Sequence, residues 1–121
     1  MNDIIHQYTR GEAIADGVLI DVSTTAQEAG IRFPTAVTAA VWAECIAVPS
    51  SVPWQDEQGR LWDVLTMLRY AIKQSDGGSR IDFSVLVQNQ PERDETMQLY
   101  ALCHGGDNAE PVITIMLPHE D

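Results

Sequence analysis

The groups in this sequence that could do chemistry are 3 histidines, 2 cysteines and 18 carboxylates, set against 7 basic side chains. The densest polar cluster is His104 followed by Gly105, Gly106, Asp107, Asn108 and Glu110. In a catalytic reading His104 is a base or ligand and Asp107 or Glu110 orients it. The bland reading is a strand end followed by a glycine turn, whose Asp and Asn satisfy local amides. A second polar edge collects Asp56, Glu57 and Arg60. Adjacent carboxylates such as Asp56-Glu57 do not focus an acid and a base on one substrate, and solvated surface explains them more simply. Cys103 and His104 are neighbours on an alternating segment, so their side chains diverge and cannot form a thiolate–imidazole couple.

No Cys-x-x-Cys, His-x-x-x-His or His-Glu-x-x-His spacing occurs, so no metal site is expected. Gly105-Gly106 precedes a strand pattern, whereas a phosphate loop needs its glycines before a helix N-terminus. No catalytic residue and no cofactor is therefore assigned. Cys45 and Cys103 lie within apolar patterns and read as buried free thiols of a reducing compartment, giving a cytoplasmic expectation. No apolar run reaches a membrane span, and no secretory leader is read at the start.

The indoles offer recognition rather than chemistry. Trp54 sits in a proline-bounded loop beside Asp56 and Glu57, and Trp62 lies at the edge of a helical stripe beside Asp63. Exposed together, Trp54, Asp56, Glu57, Trp62 and Asp63 would form an aromatic anchor rimmed by negative charge, suited to a surface rich in Arg and Lys. The competing expectation is that loop 49–59 folds back and Trp54 caps the core. Net charge is −11, with 8 acids against 3 bases in residues 1–60 and 10 against 4 in residues 61–121. So broad an acidity excludes direct nucleic-acid binding and an anionic membrane surface as primary roles, and steers toward cationic partners.

The elements that must position these residues follow from periodicity. At 121 residues the chain fits a single domain spanning 1–121. Thr9 and Glu12 have capping-box spacing, predicting a short helix at 10–15 that ends by Gly17. Val18 to Val22 reads as a strand or a core-anchored extended piece, followed by a short helix capped by Ser23 or Thr24 and stopped at Gly30. Val37, Val41, Cys45 and Val48 predict a long helix over about 34–47, opened by Phe33-Pro34-Thr35. Leu61, Leu65, Leu68 and Ile72 predict a second over about 60–74, with Trp62, Met67 and Tyr70 widening its apolar stripe. Alternation then predicts strands around 81–87, 97–103 and 112–117, with 88–95 as a polar connection and the last strand the most covered. The fold class is α+β: two long helices packed on a C-terminal three- or four-stranded, mainly antiparallel sheet.

Several segments carry a resemblance. They include Tyr8-Thr9-Arg10, Asp16-Gly17-Val18-Leu19-Ile20-Asp21-Val22-Ser23, Gly59-Arg60-Leu61-Trp62-Asp63-Val64-Leu65 and Glu110-Pro111-Val112-Ile113-Thr114-Ile115-Met116-Leu117-Pro118. Together they resemble a small family of uncharacterised bacterial proteins carried on plasmids, integrative elements and phage-related islands. That resemblance implies no activity. It does imply a setting in which small acidic proteins inhibit host defence. The leading expectation is a non-enzymatic accessory factor, of the anti-CRISPR or antirestriction type. It would act as a DNA mimic whose acidic face occupies the basic groove of a nucleic-acid enzyme. The rival is a small enzyme or ligand-binding domain using Asp56, Glu57 and Arg60, or His104, Asp107 and Glu110. A third reading is a homodimer covering a sheet edge or helix face.

Overall fold

A computed structural model describes residues 8–120. Helix α1 (Arg10–Ala15) opens with the expected capping box: the Glu12 N–H donates to Thr9 Oγ1, and the Thr9 N–H donates to the Glu12 carboxylate. Strand β1 (Leu19–Asp21) and helix α2 (Ser23–Glu28) follow. Neither Ser23 nor Thr24 caps α2: its N-cap is Val22, without a side-chain bond. The Ser23 hydroxyl instead donates to Asp21 and accepts from the Thr35 N–H, tying β1 to the next strand.

The helix expected over 34–47 is corrected. Residues Thr35–Thr38 form strand β2, and only then does α3 (Ala39–Val41) begin, running directly into a π-helical turn at Trp42–Ile46. Pro34 does not start a helix; its carbonyl accepts the Ile113 N–H at 2.8 Å and opens a strand pairing. The helix starts where Thr38 Oγ1 accepts the Val41 N–H. Val37, Val41 and Cys45 are all buried, as a continuous helix would require, but through a strand followed by a turn of helix. β-Branched Thr35, Val37 and Thr38 favour the extended form.

The second long helix stands as α4 (Glu57–Gln74), capped by Asp56, whose carboxylate accepts the Gly59 N–H. It buries Leu61, Val64, Leu65 and Leu68, while Trp62, Met67 and Tyr70 stay exposed rather than widening the stripe inward. Strands β3 (Arg80–Gln90) and β4 (Arg93–Gly105) form a hairpin closed at Pro91-Glu92, with a bulge between Gln88 and Gln90. The polar connection expected at 88–95 is therefore mostly ladder. Strand β5 (Pro111–Met116) completes the sheet.

The sheet has five strands in the order β1-β2-β5-β4-β3, not three or four, and is mixed: β2 and β5 pair in parallel, the other neighbours antiparallel. β5 is central, as its run of buried residues requires. One face, with Val37, Phe83, Val85, Leu99 and Ile115, packs under α2, α3 and α4 and forms the core. The other face carries α1 and the chain's C-terminal turn, where the Tyr100 hydroxyl donates to the Glu120 carbonyl. No described helix is long and apolar enough to cross a membrane.

Candidate protein-binding surface

The loop leading into α4 is tied down. Val52 is fully buried and anchors it, and the Gln55 N–H returns to the Val52 carbonyl. The Ser51 hydroxyl donates to the Asn89 carbonyl at 2.9 Å, and Gln55 Nε2 donates to Gln88 Oε1 at 2.7 Å. Trp54 nevertheless stands 62% exposed and Trp62 41%. The expectation that Trp54 caps the core does not hold. Asp56, Glu57 and Asp63 are exposed too. On α4, Asp63, Met67 and Tyr70 recur at four and three residues and share one outward stripe, while Trp62 lies roughly 100° round the helix from Asp63. Partial burial pushes the Asp63 carboxyl up, opposed by the Arg60 charge.

Arg60 plays a different part from the one its neighbours suggested. It is only 6% exposed and donates to four neutral oxygens. These are the Ile46 carbonyl at 3.1 Å, Gln55 Oε1 at 2.8 Å, the Gln88 carbonyl at 2.7 Å and Asn89 Oδ1 at 2.7 Å. Asn89 Nδ2 in turn donates to the Glu44 carbonyl. The guanidinium thus fastens the end of the π turn, the 49–56 loop and the end of β3 to α4. Carbonyls at a helix C-terminus suit a cation. Burial lowers the Arg60 pKa from its usual value. Beside it lies a cavity of about 220 Å³, lined among others by Cys45, Asp63 and Asp94. Asp56 Oδ1 accepts the helix-cap bond, and the Arg60 guanidinium donates to Ile46, Gln55, Gln88 and Asn89 rather than to Asp56 or Glu57.

The C-terminal cluster is also divided. Asp107 accepts the Arg10 and Gly11 N–H groups at 2.8 and 2.9 Å, latching the start of α1 and holding its carboxyl below the usual range. Glu110 accepts the Asn108 N–H within its own turn. His104 Nε2 lies 2.9 Å from Thr114 Oγ1, which already accepts from the Arg10 guanidinium at 2.6 Å. The Gly105 carbonyl, 3.1 Å from His104 Nδ1, can only accept, so Nδ1 donates to it, and in that tautomer Nε2 accepts from the Thr114 hydroxyl. Arg10 and Thr114 were missed from sequence; 104 residues separate them, and no local spacing signals the pair. His104, Asp107, Arg10 and Thr114 border a groove of about 920 Å³ on the α1 side of the sheet, away from Arg60. Among the described residues no group of His, Cys, Asp and Glu is placed to hold a metal ion, and His6 lies outside them.

Both cysteines are free, Cys45 buried and Cys103 half-buried, and burial pushes the Cys45 thiol up to about 11. A family of unknown function, DUF6573, matches residues 1–121. The chain belongs to the DUF6573 family. No curated protein and no solved structure matches it.

Proposed function

We propose that this DUF6573 protein is a non-enzymatic, acidic protein-binding factor. Its Trp54–Trp62 surface, with Asp56, Glu57 and Asp63, docks on a basic face of a partner, such as the nucleic-acid groove of a host-defence enzyme. The observation that carries this reading is the exposed Trp54 indole on a loop fixed by its own hydrogen bonds. An aromatic held in water by an ordered backbone loses hydrophobic stabilisation unless a partner covers it. The pre-set loop also lowers the ordering cost of binding. Charge supports the same reading. Between described side chains, the ion pairing comes to Arg80–Asp82, at 3.0 Å, so most carboxylates keep their field. Of the 7 basic side chains, Arg60 is consumed inside the fold and Arg10 is half-buried on Thr114 and Ile113. The bacterial, mobile-element setting implied by the resemblance suggests a restriction or CRISPR component as the partner. It also implies work in the cytoplasm.

Capture of partners from the native host at about 50 mM salt tests this. The expected result is a DNA-binding protein that is released by added duplex DNA and lost with a Trp54→Ala/Trp62→Ala variant. Partners unaffected by both DNA and the indole variant overturn the proposal.

A further inference from the structure

Among the described residues the sheet ends on one side at β1, three residues long, and on the other at β3, eleven residues long. The pairing fixes which β3 groups point outward. The Cys103 N–H bonds the Ser79 carbonyl, so odd-numbered residues of β3 face β4. Arg80, Asp82, Ser84 and Leu86 then aim their N–H and C=O groups at the free edge. Farther along, the edge is closed: the Gln88 carbonyl accepts from Arg60 and the Asn89 carbonyl from Ser51. At the near end sits the Arg80–Asp82 pair, with Arg80 stacked 3.9 Å over the Tyr100 ring. Between these closures, Phe83 to Val87 carries no charge, proline or glycine, and Leu86 is 63% exposed. Natural edges of this length are normally blunted by a charge, a bulge or a cover.

The open stretch also has a wall. A groove of about 510 Å³ separates it from α4, with Met67, Tyr70 and Ala71 on the helix side and Ile81 and Phe83 on the sheet side. Helix and edge thus form the two sides of a slot for an extended chain, whose backbone would bond the edge and whose alternate side chains would meet Met67 and Tyr70.

Charge selects the occupant. A second copy would bring another −11 to the interface. The far end of the edge opens on the cavity that Asp63 and Asp94 line beside Val85 and Leu86, and the cation there, Arg60, is already spent on four oxygens. We propose that the edge of β3 from Asp82 to Leu86 takes an extended, basic segment of a partner protein as a sixth strand. The basic character rests on the reading above, whereas the strand addition does not.

The test uses the intact protein and an acetylated octapeptide of alternating lysine and valine. Its glutamate counterpart and a form N-methylated at alternate residues serve as controls. Amide exchange should slow at Asp82, Ser84 and Leu86 on adding the lysine peptide. N-methylation, and separately Leu86→Lys in a protein with wild-type circular dichroism, should each weaken binding about tenfold or more. The glutamate peptide should not bind.

Protection confined to Asp56, Glu57 and their neighbours would overturn strand addition while sparing the acidic-surface reading. Equal binding of lysine and glutamate peptides would overturn the basic occupant. A dimer of the free protein that Leu86→Lys dissolves would assign the edge to a second copy and overturn the proposal.

Discussion

Replacing Arg60 with alanine removes one buried cation and the donors to four oxygens. A hydrogen bond to a charged group contributes about 1.5–3 kcal/mol, so a simple sum would exceed about 6 kcal/mol. Two corrections lower it. Gln55, Gln88 and Asn89 are half-buried, so water replaces part of what they lose, and the desolvation cost of the guanidinium is recovered. Ile46 is fully buried, and its carbonyl is left bare. The net expectation is a loss of about 3–4 kcal/mol, a large share of the ~5–15 kcal/mol typical of a domain. For a chain of this size that lowers the melting temperature by about 10–20 °C. Arg60→Lys keeps the charge but cannot fork to four acceptors, and should recover less than half the loss. Urea and thermal unfolding, followed by circular dichroism and tryptophan emission, measure both variants. An Arg60→Ala protein within about 1 kcal/mol of wild type would refute the clamp, and with it the claim that Arg60 holds the loop presenting Trp54.

Three further outcomes follow from single contacts. Gly30 has φ +96°, and a Cβ there would lie 2.8 Å from Arg69 Nε, so Gly30→Ala should cost about 1–2 kcal/mol by urea unfolding. The Asp107 carboxyl is held down by two backbone N–H groups, so its contribution is present above the unfolded carboxyl pKa, about 3.9, and fades as pH falls through the lower folded value. The protection factors of the Arg10 and Gly11 amides, which allow for the slower intrinsic exchange in acid, should therefore fall on acidification below about pH 4, and at neutral pH in Asp107→Ala. At pH 8 a disulfide reagent should modify Cys103 first and Cys45 only as the protein unfolds, because the Cys45 thiol is buried and pushed up to about 11.

The parts of the fold legible in the sequence are those whose signals are local. The capping box of Thr9 and Glu12, the stripe of Leu61, Leu65 and Leu68, and the alternation along β3 and β4 each read correctly, because one element satisfies each pattern. Residues 34–47 misled because a strand followed by a helical turn buries Val37, Val41 and Cys45 as well as one helix would. The parallel partner of β2 lies almost eighty residues on, beyond any periodicity. The same distance hid the polar network. Arg60 finds its acceptors 5 to 29 residues away, and Arg10 meets Asp107 across 97. Trp54 was legible as a loop residue, but not its exposure: within the same loop Val52 is the side chain that is buried.

The account rests most heavily on charge and indoles acting together at one face. Affinity for the captured partner, measured across about 50–300 mM salt, tests this directly. Binding should weaken steadily with salt, and Asp56→Asn/Glu57→Gln/Asp63→Asn should flatten that dependence. Trp54→Ala should weaken binding at every salt concentration without changing the slope. A slope unmoved by the three neutralised carboxylates would contradict the account.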